Sequence, residues 1–405
     1  MTDMDIPQGW HRVPIGDCIV ERRKSQIKVD NAAGYGNYPF FTSGEVVLQH
    51  TEKQIDGENI FLSTGGNAVV KYYDGQAAYS TDTYVVAGNE HVSTKFLYYA
   101  LDFLTEYINT NYFQGSGLKH LQKKDFKRHE LIIPSSLEEQ ERIAKALTQI
   151  DDAIDSSSRL IAKYEQVKKG LMHDLLTYGI DKDGNIRSEL THQFKDSPIG
   201  RIPVEWEVIS LQSLVDDGCL IQTGPFGTQL HVTDYTKEGI PVIMPKDIQD
   251  NKILNDDLTY ISLEKAKVLI KYQLKLGDLL VARKGDVKKI ALIDDKTKGS
   301  ICGSDCIIVR LPKSYYPYFF FNYYQSNGFI KDVVTQSVGT TLPTLKPSIL
   351  KNIHIPYVSL LEQRQICSYI LDVSEIINLE KKEKAKYIYQ RSALLSDLMT
   401  GKVRI

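Results

Sequence analysis

The stretches Ser136-Leu-Glu-Glu-Gln-Glu-Arg-Ile143 and Ser359-Leu-Leu-Glu-Gln-Arg-Gln-Ile366 are two copies of one pattern. When the sequence is shifted by 223 residues, 13 of the 42 positions in 136–177 are identical to those in 359–400, without a gap. Chance would give about two or three identities in a window of this length, and a repeat of this kind is sought before any other feature. The chain is therefore an internal duplication.

Both copies have the pattern of a long helix. Each opens with Ser-x-x-Glu, which predicts a capping box at the helix start. Apolar residues then recur at alternating steps of four and three, the 3.5-residue period of a coiled-coil seam. The predicted helix–helix seam consists of Ile143, Leu147, Ile150, Ile154, Ile161, Tyr164, Leu171 and Leu175 in the first copy, and Ile366, Ile370, Val373, Ile377, Tyr387, Leu394 and Leu398 in the second.

Charge favours pairing of the two helices with each other. Residues 136–178 carry six basic and eight acidic side chains, and residues 359–405 carry eight and six. At about 1.5 Å per residue, 40 residues form a rod of about 60 Å. The alternative, in which each helix packs on its own globular domain, stays open from the sequence.

Two larger segments, 1–135 and 201–358, flank the central helix at 136–178. Each contains β-rich runs separated by turns, such as Ile60-Phe-Leu62 before Gly65 and Leu279-Leu-Val281 before Lys284. Residues 179–200 are rich in Gly, Asp, Asn and Pro and are predicted to be a linker, and 359–405 to be a C-terminal helix. Outside a few landmarks the two segments differ in sequence, which predicts one scaffold with two different surfaces.

Composition describes an ordinary globular protein. The chain has 405 residues, 42% hydrophobic and 25% charged, with five scattered cysteines. No apolar run approaches the roughly 20 residues needed to cross a bilayer, and the acidic N-terminus has no signal-peptide pattern. We expect a cytoplasmic protein without membrane contact. The net charge of −2 argues against a protein that coats nucleic acid by bulk charge.

The sequence contains no recognisable catalytic motif. Phosphate-binding loops of the Walker and Rossmann types, His-Glu-x-x-His and Gly-x-Ser-x-Gly are all absent. Cys302-x3-Cys306 has metal-like spacing but no second Cys/His pair, so two thiols on a strand are favoured over a zinc site. We expect no catalytic residue and no metal ligand.

Local basic and glycine-containing loops are the remaining candidates for chemistry. Residues 119–129 hold five Lys/Arg against one Asp, and a second basic cluster surrounds Gly285. Lys and Arg contact phosphates, Arg, Asn and Gln read base edges, and glycine permits close backbone approach. A solvated charged face is an equally open interpretation for each cluster. The candidate DNA-binding residues are Gly65, Gly66, Asn67, Lys71, Ser116, Lys119, Lys123, Lys124, Thr223, Phe226, Thr228, Gln229, Arg283, Lys284, Lys288, Thr340 and Thr341.

The whole chain resembles the specificity (S) subunits of type I restriction–modification enzymes, the HsdS family. The residues that carry the resemblance are Ile132-Ile-Pro134 with Glu139-Gln140, and their repeat His354-Ile-Pro356 with Glu362-Gln363. Further similar stretches are Tyr38-Pro-Phe-Phe-Thr-Ser-Gly44, Gly224-Pro-Phe-Gly-Thr228 and Gly277-Asp-Leu-Leu280, with Trp10 and Trp206 at the domain openings.

The resemblance implies an α+β fold in which two α/β target recognition domains are separated by two long antiparallel coiled-coil helices, with a pseudo-twofold internal repeat. Each domain would read one half of a bipartite, asymmetric site in double-stranded DNA, and the helices would set the spacer. A non-catalytic subunit of this kind docks two methyltransferase (M) subunits and, in the full complex, two restriction/translocase (R) subunits. S-adenosylmethionine, ATP and Mg would be bound by those partners.

Two other functions remain as alternatives. A coiled-coil scaffold could pair two protein-binding domains without recognising DNA, and near-neutral charge is the one feature that favours it. A single chain that both recognises and methylates DNA is the other, but the Asn-Pro-Pro-aromatic signature of amino-methyltransferases is missing. The basic 119–129 stretch and the duplicated glycine loops favour DNA recognition.

Overall fold

The computed structural model describes residues 6–32, 35–337, 339 and 343–405. They form a mixed helix-and-sheet fold that divides into two compact units, unit 1 with residues up to 161 together with 380–405, and unit 2 with residues 162–379. Each unit therefore contains one sheet-rich segment, the first part of one long helix and the last part of the other.

The first segment is built from short strands and four short helices that precede the first long helix. The strands are β1 (Trp10–Pro14), β2 (Ile19–Glu21), β3 (Tyr38–Phe41), β4 (Leu48–His50), β5 (Glu58–Ser63), β6 (Val70–Asp74), β7 (Ala78–Tyr79), β8 (Thr83–Gly88), β9 (Phe113–Gln114), β10 (His120–Leu121) and β11 (Glu130–Pro134). The helices are α1 (Ile15–Cys18), α2 (Thr94–Phe103), α3 (Thr105–Tyr112), α4 (Lys123–Arg128) and the long α5 (Leu137–Thr177).

The main sheet of unit 1 has the antiparallel order β2-β8-β5-β6. A second sheet has the order β4-β3-β7, in which β3 and β7 are parallel, and β1 pairs with β11. Strand β5 is buried on both faces because successive side chains of a strand point in opposite directions. Ile60 and Leu62 lie in the core beneath the helices, whereas Phe61 packs with Phe41 and Val85 in a smaller core.

The second segment contains more strands than the first. They are β12 (Phe194–Ser197), β13 (Gly200–Pro203), β14 (Glu207–Ser210), β15 (Leu220–Thr223), β16 (Tyr235–Thr236), β17 (Ile240–Ile243), β18 (Ile248–Gln249), β19 (Lys252–Ile253), β20 (Thr259–Ile261), β21 (Leu279–Ala282), β22 (Ile290–Leu292), β23 (Ile301–Cys302), β24 (Cys306–Arg310) and β25 (His354–Tyr357). The helices are α6 (Leu211–Asp216), α7 (Leu263–Val268), α8 (Pro317–Tyr324), α9 (Asn327–Gln336), α10 (Pro347–Asn352) and the long α11 (Leu360–Met399).

The sheets of unit 2 repeat the topology of unit 1. The order β15-β24-β21-β22 corresponds to β2-β8-β5-β6, the parallel pair β17–β23 corresponds to β3–β7, and β14–β25 corresponds to β1–β11. In unit 2, β20 takes the place of β4 as the antiparallel partner of the central strand, and the additions are β16, a β18–β19 hairpin and helix α7. The duplication seen in the helices therefore extends through the two sheet-rich segments.

Two predicted boundaries differ from the structure. The segment 179–200, predicted to be a plain linker, contains a bridge between Ile180 and Ile186 and most of the β12–β13 hairpin. The C-terminal helix, predicted to extend to residue 405, ends at Met399. Gly401 has φ +67°, a left-handed conformation that ends a helix and favours glycine.

All fifteen predicted seam residues are buried or half-buried. In unit 1, Ile143 and Leu147 of α5 share a core with Leu395 and Leu398 of α11. The two helices run antiparallel there, as two pairs of contacts show. Arg142 donates to the carbonyl of Ile405 at 2.9 Å, and Asp151, further along α5, accepts from Arg391, earlier in α11, at 2.5 Å. In unit 2, Leu175 and Leu176 share a core with Ile366, Cys367 and Ile370.

Each helix packs on a domain as well as on the other helix. The core of unit 1 joins Phe96 and Leu131 of the first domain to α5 and to the last turns of α11. The core of unit 2 joins Phe319 and Ile355 of the second domain to α11 and to the last turns of α5. The two packing arrangements that the sequence leaves open thus occur together.

The predicted capping boxes are only half present. Ser136 and Ser359 accept from the backbone N–H of Glu139 and Glu362, at 3.5 and 3.2 Å. The glutamate carboxylates, however, bind a tryptophan and an arginine from distant segments. Long-range partners replace the local hydrogen bond because a nearly buried carboxylate is stabilised more by a cation than by a neutral backbone donor.

Candidate nucleic-acid interface

The loops that follow β5 and β21 occupy equivalent places in the two units. Thr64 donates its backbone N–H to the carbonyl of Asp82 at 3.1 Å, and Arg283 donates to that of Asp305 at 2.7 Å. One β-bridge, Gly65 with His120, is matched by another, Lys284 with Thr344. The loop Thr64-Gly-Gly-Asn67 therefore corresponds to Arg283-Lys-Gly-Asp286, as the sequence alignment of the glycines predicts.

A cavity of about 440 Å³ opens at this loop in unit 1. Thr64 donates its hydroxyl to the Asp82 carbonyl at 2.8 Å, and the His120 ring donates to the Thr64 carbonyl at 3.3 Å. The lining offers neutral and acidic groups of the kind that hydrogen-bond to base edges. It consists of Ser43, Gly44, Glu45, Thr64, Gly65, Gly66, Asn67, Val69, Asp82, Leu118 and His120, which include three predicted site residues.

The equivalent loop in unit 2 is cationic. The guanidinium of Arg283 lies 5.3 Å from the ring centroid of Phe226, so the structure brings two predicted residues together. Lys284 pairs with Asp305 at 3.1 Å, and the Lys288 backbone N–H donates to Asp286 at 3.2 Å.

The remaining predicted residues of unit 2 are placed differently. Gln229 accepts from the hydroxyl of Tyr272 at 2.5 Å. Thr223 is half-buried in β15, opposite Ile307, whereas Thr228 is exposed. Thr340 and Thr341 lie outside the described residues.

Lys71 lies beneath the loop that follows β3. Its ammonium group donates to the backbone carbonyls of Thr42 and Gly44, the first at 3.3 Å. Burial lowers the pKa of Lys71. The ammonium group of this predicted DNA contact therefore holds the backbone at Thr42 and at Gly44, and Gly44 lines the cavity.

The basic stretch 119–129 is not a loop throughout, since its second half forms helix α4, with Phe126 fully buried. Lys127 pairs with Glu21 at 2.8 Å, and Lys123 lies 4.1 Å from the ring centroid of Tyr84. Because Phe126 lies in the core of unit 1, Lys123 and Lys127 of the same helix lie on its other sides, where they contact Tyr84 and Glu21. Ser116, Lys119 and Lys124 are exposed.

Several residues that line the unit 1 cavity were not predicted from the sequence. Ser43 and Gly44 lie in the Tyr38–Gly44 stretch that carries the resemblance, so that motif could have indicated them. Strand pairing brings Thr64 next to Asp82, and an isolated bridge brings His120 to the same loop. No local pattern marks such contacts.

The five cysteines are buried free thiols. Cys302 and Cys306 lie on β23 and β24, and burial raises the pKa of both thiols. Within the described chain no group of three or more His, Cys, Asp or Glu side chains is placed to hold a metal ion. No helix among the described residues is long and apolar enough to span a membrane.

Comparison with known proteins agrees with this architecture. The profile of the family described as "Type I restriction modification DNA specificity domain" matches residues 7–166 and 203–387. The type I restriction enzyme MjaVIII specificity subunit of Methanocaldococcus jannaschii is 25% identical, over 100% of this chain and 95% of its own length. The EcoDI specificity subunit of Escherichia coli is 24% identical over 53% of this chain and 51% of its own length.

Solved structures share the fold. The S subunit of a type I restriction-modification system from M. genitalium superposes with a TM-score of 0.65 at 17% identity, covering 98% of this chain and 97% of that one. A chain from a structure on complex assembly and conformational transition of the type I R-M system superposes with a TM-score of 0.58 at 19% identity, covering 99% and 100%.

The chain belongs to the type I restriction–modification DNA specificity family. It is a specificity subunit, the kind of subunit that recognises DNA sequence for such a system.

Proposed function

We propose that the two sheet-rich domains read the two halves of a bipartite, asymmetric site in double-stranded DNA. The observation that carries this proposal is the equivalent pair of loops, Thr64-Gly-Gly-Asn67 and Arg283-Lys-Gly-Asp286, held by matching backbone hydrogen bonds. One backbone framework presents small neutral groups in unit 1 and cationic groups in unit 2. Because different donors and acceptors select different base edges, the two half-sites differ in sequence.

The long helices set the distance between the half-sites. Helices α5 and α11 have 41 and 40 residues, which at about 1.5 Å per residue gives rods of about 60 Å. Ten base pairs span about 34 Å, so rods of this length suit domains that contact successive turns of the major groove. A spacer of unspecified sequence then separates the two half-sites.

The face of α11 within unit 2 supplies a docking surface for methyltransferase subunits. Leu361, Tyr369, Ile376 and Leu379 are exposed and fall within one side of the helix at its 100° step per residue. The corresponding positions of α5 are Glu138, Ala146, Ala153 and Ser156, which are smaller or polar. Exposed apolar side chains aligned on one helix face are typical of a protein interface.

The catalytic reactions would take place on the partner subunits. Two methyltransferase subunits would bind S-adenosylmethionine, and two restriction/translocase subunits would bind ATP and Mg, while this non-catalytic chain supplies sequence recognition. The net charge of −2 supports this division, because clustered cations on the partners are needed for strong phosphate contact. The isolated chain should therefore bind its specific DNA weakly at physiological salt, and tight binding in a gel shift would contradict this expectation.

The test is a base-modification map of DNA from cells that express the chain with its methyltransferase, compared with cells from which the chain is deleted. A bipartite N6-methyladenine motif that vanishes on deletion supports the proposal. Exchanging residues 201–358 for those of a relative should change one half-site and leave the other unchanged. An unchanged map, with a folded and expressed chain, would favour the coiled-coil scaffold without DNA recognition.

A further inference from the structure

Arg283 has a rigidly held backbone at the edge of the unit 2 loop. Its N–H donates to the carbonyl of Asp305 at 2.7 Å, and its carbonyl accepts from the N–H of Leu345 at 2.8 Å. The first bond connects Arg283 to the residue before β24, and the second connects it to the segment that precedes α10. Because the backbone is already held in place, the side chain can bind a ligand with little further loss of backbone conformational entropy.

The guanidinium of Arg283 differs from those of two other arginines of unit 2, the buried Arg187 and the half-buried Arg310. Arg187 binds Glu362 and Arg310 binds Asp278, each through two nitrogens. Within the described chain, Arg283 forms no ion pair, and its buried Nε has no hydrogen-bond partner. A buried donor without a partner is costly, and one that persists in a folded protein calls for an explanation.

The neighbouring groups leave Arg283 available. The carboxylate of Asp305, whose backbone carbonyl accepts from the Arg283 N–H, pairs with Lys284 at 3.1 Å. Phe226 supports one face of the guanidinium and is itself 53% exposed. A guanidinium stacked on an aromatic ring keeps its donors in one plane, the geometry required for two parallel hydrogen bonds.

We propose that Arg283 reads a guanine in the half-site contacted by residues 201–358, by donating two hydrogen bonds to O6 and N7 of that base. The inference rests on the proposed function. In the major groove guanine presents these two acceptors side by side, and a bidentate arginine is their commonest partner. In unit 1 the equivalent residue is Thr64, whose hydroxyl is bonded to the Asp82 carbonyl, so the other half-site lacks this contact.

The first experiment uses the unaltered chain in complex with its methyltransferase. Each guanine of the half-site is replaced in turn by 7-deazaguanine, which lacks the N7 acceptor, and the initial methylation rate is measured. At one position the rate should fall about tenfold or more, the discrimination expected of a bidentate contact. The same replacement in the spacer is the control and should have no effect. A half-site in which no guanine responds would overturn the inference.

The second experiment substitutes Arg283→Lys and Arg283→Gln, with Lys288→Gln in the same loop as the matched control. Discrimination against the other three bases should be lost at that one guanine position in both Arg283 variants and retained in the control. Phosphate contact would instead weaken methylation equally on all sequences and reduce the salt dependence, and that result would overturn the inference. Thermal unfolding of each variant checks its fold, and the 7-deazaguanine test needs no variant.

Failure of the proposed function and failure of the role assigned to Arg283 give different experimental results. If the proposed function is wrong, deletion of the chain leaves the methylation map unchanged. If only the role of Arg283 is wrong, the motif still depends on the chain, but guanine discrimination survives in both Arg283 variants.

Discussion

The carboxylate of Glu362 accepts a hydrogen bond from the indole N–H of Trp206 at 3.1 Å. This bond connects the second recognition domain to the first turn of α11. Arg187 completes the arrangement by donating to the same carboxylate at 2.5 Å. Unit 1 repeats it, since Glu139 accepts from Trp10 at 3.2 Å and from Arg404 at 2.8 Å. In both units the arginine comes from the segment that follows the end of the opposite helix.

The adjacent glutamines connect a second part of each domain. Gln140 and Gln363 are fully buried. Gln140 accepts from the backbone N–H of Ser93 at 2.9 Å, and Gln363 accepts from that of Tyr316 at 2.6 Å. The duplicated Glu-Gln pair therefore orients each helix relative to its own domain, which explains why both residues recur in the repeat.

Removing the carboxylate of Glu362 should destabilise unit 2. Glu362→Gln leaves the nearly buried Arg187 without its ion pair, and should lower the free energy of unfolding by about 2–4 kcal/mol. Glu138→Gln is the control, because Glu138 is 80% exposed in an ion pair with Arg142 and should cost less than about 0.5 kcal/mol. Denaturant unfolding of both variants measures the difference. Equal stabilities would contradict the role assigned to Glu362.

Acid should weaken unit 1 through Glu139. Hydrogen bonds from Arg404, assisted by Trp10, hold the pKa of Glu139 below its ordinary value of 4.5. Its contribution to stability is thus fully present above that value and is lost as the pH falls through the folded-state pKa. Denaturation midpoints between pH 7 and pH 3 should fall less steeply for Glu139→Gln than for the unaltered chain. Parallel curves would show that this carboxylate does not contribute.

The helix seam should respond to truncation according to burial. Leu398 is fully buried in the unit 1 core, whereas Ile388, on the same helix, is 49% exposed. Leu398→Ala should cost about 2–5 kcal/mol because it removes buried apolar volume. Ile388→Ala should change stability by less than about 0.5 kcal/mol. Comparable losses, measured by denaturant unfolding, would place the interface on a different face of α11.

Two predicted DNA contacts of unit 1 should behave differently from each other. Lys71→Met leaves the Thr42 and Gly44 carbonyls without their donor and should reduce stability by about 1–3 kcal/mol. Lys119 is exposed, so Lys119→Met should leave stability unchanged, weaken binding of the complex to all DNA sequences, and reduce the salt slope by about 1. Unfolding curves and salt titrations of DNA binding separate the two effects. A lower stability for Lys119→Met would reverse the assignment.

Lengthening the helices should lengthen the spacer. One extra heptad in each helix, inserted after Ser158 and after Lys384, preserves the seam and adds about 10 Å. At about 3.4 Å per base pair, the methylated motif should gain a spacer of about three base pairs. Both half-sites should keep their sequences in the methylation map. A changed half-site, or an unchanged spacer, would show that the helices do not set this distance.

Much of the architecture could be predicted because it depends on local patterns. The duplicated Ser-x-x-Glu pattern located the helix starts to within one residue, at Leu137 and Leu360. The alignment of Gly66 with Gly285 identified the equivalent loops, since both glycines adopt a positive φ. The partners of Lys71 and Lys127 could not be predicted, because a lysine has the same local pattern whether it meets a carbonyl, a carboxylate or a phosphate.

The duplication, the two long helices and the positions of their apolar seam could be read from the sequence alone. These features follow from backbone periodicity and capping, which act over a few residues. The position of the last turns of α11 in the core of unit 1, where Arg404 binds Glu139 across 265 residues of sequence, is set by the three-dimensional fold. Such a contact depends on which distant surfaces bury apolar area and satisfy a carboxylate together, and no short-range pattern records that choice.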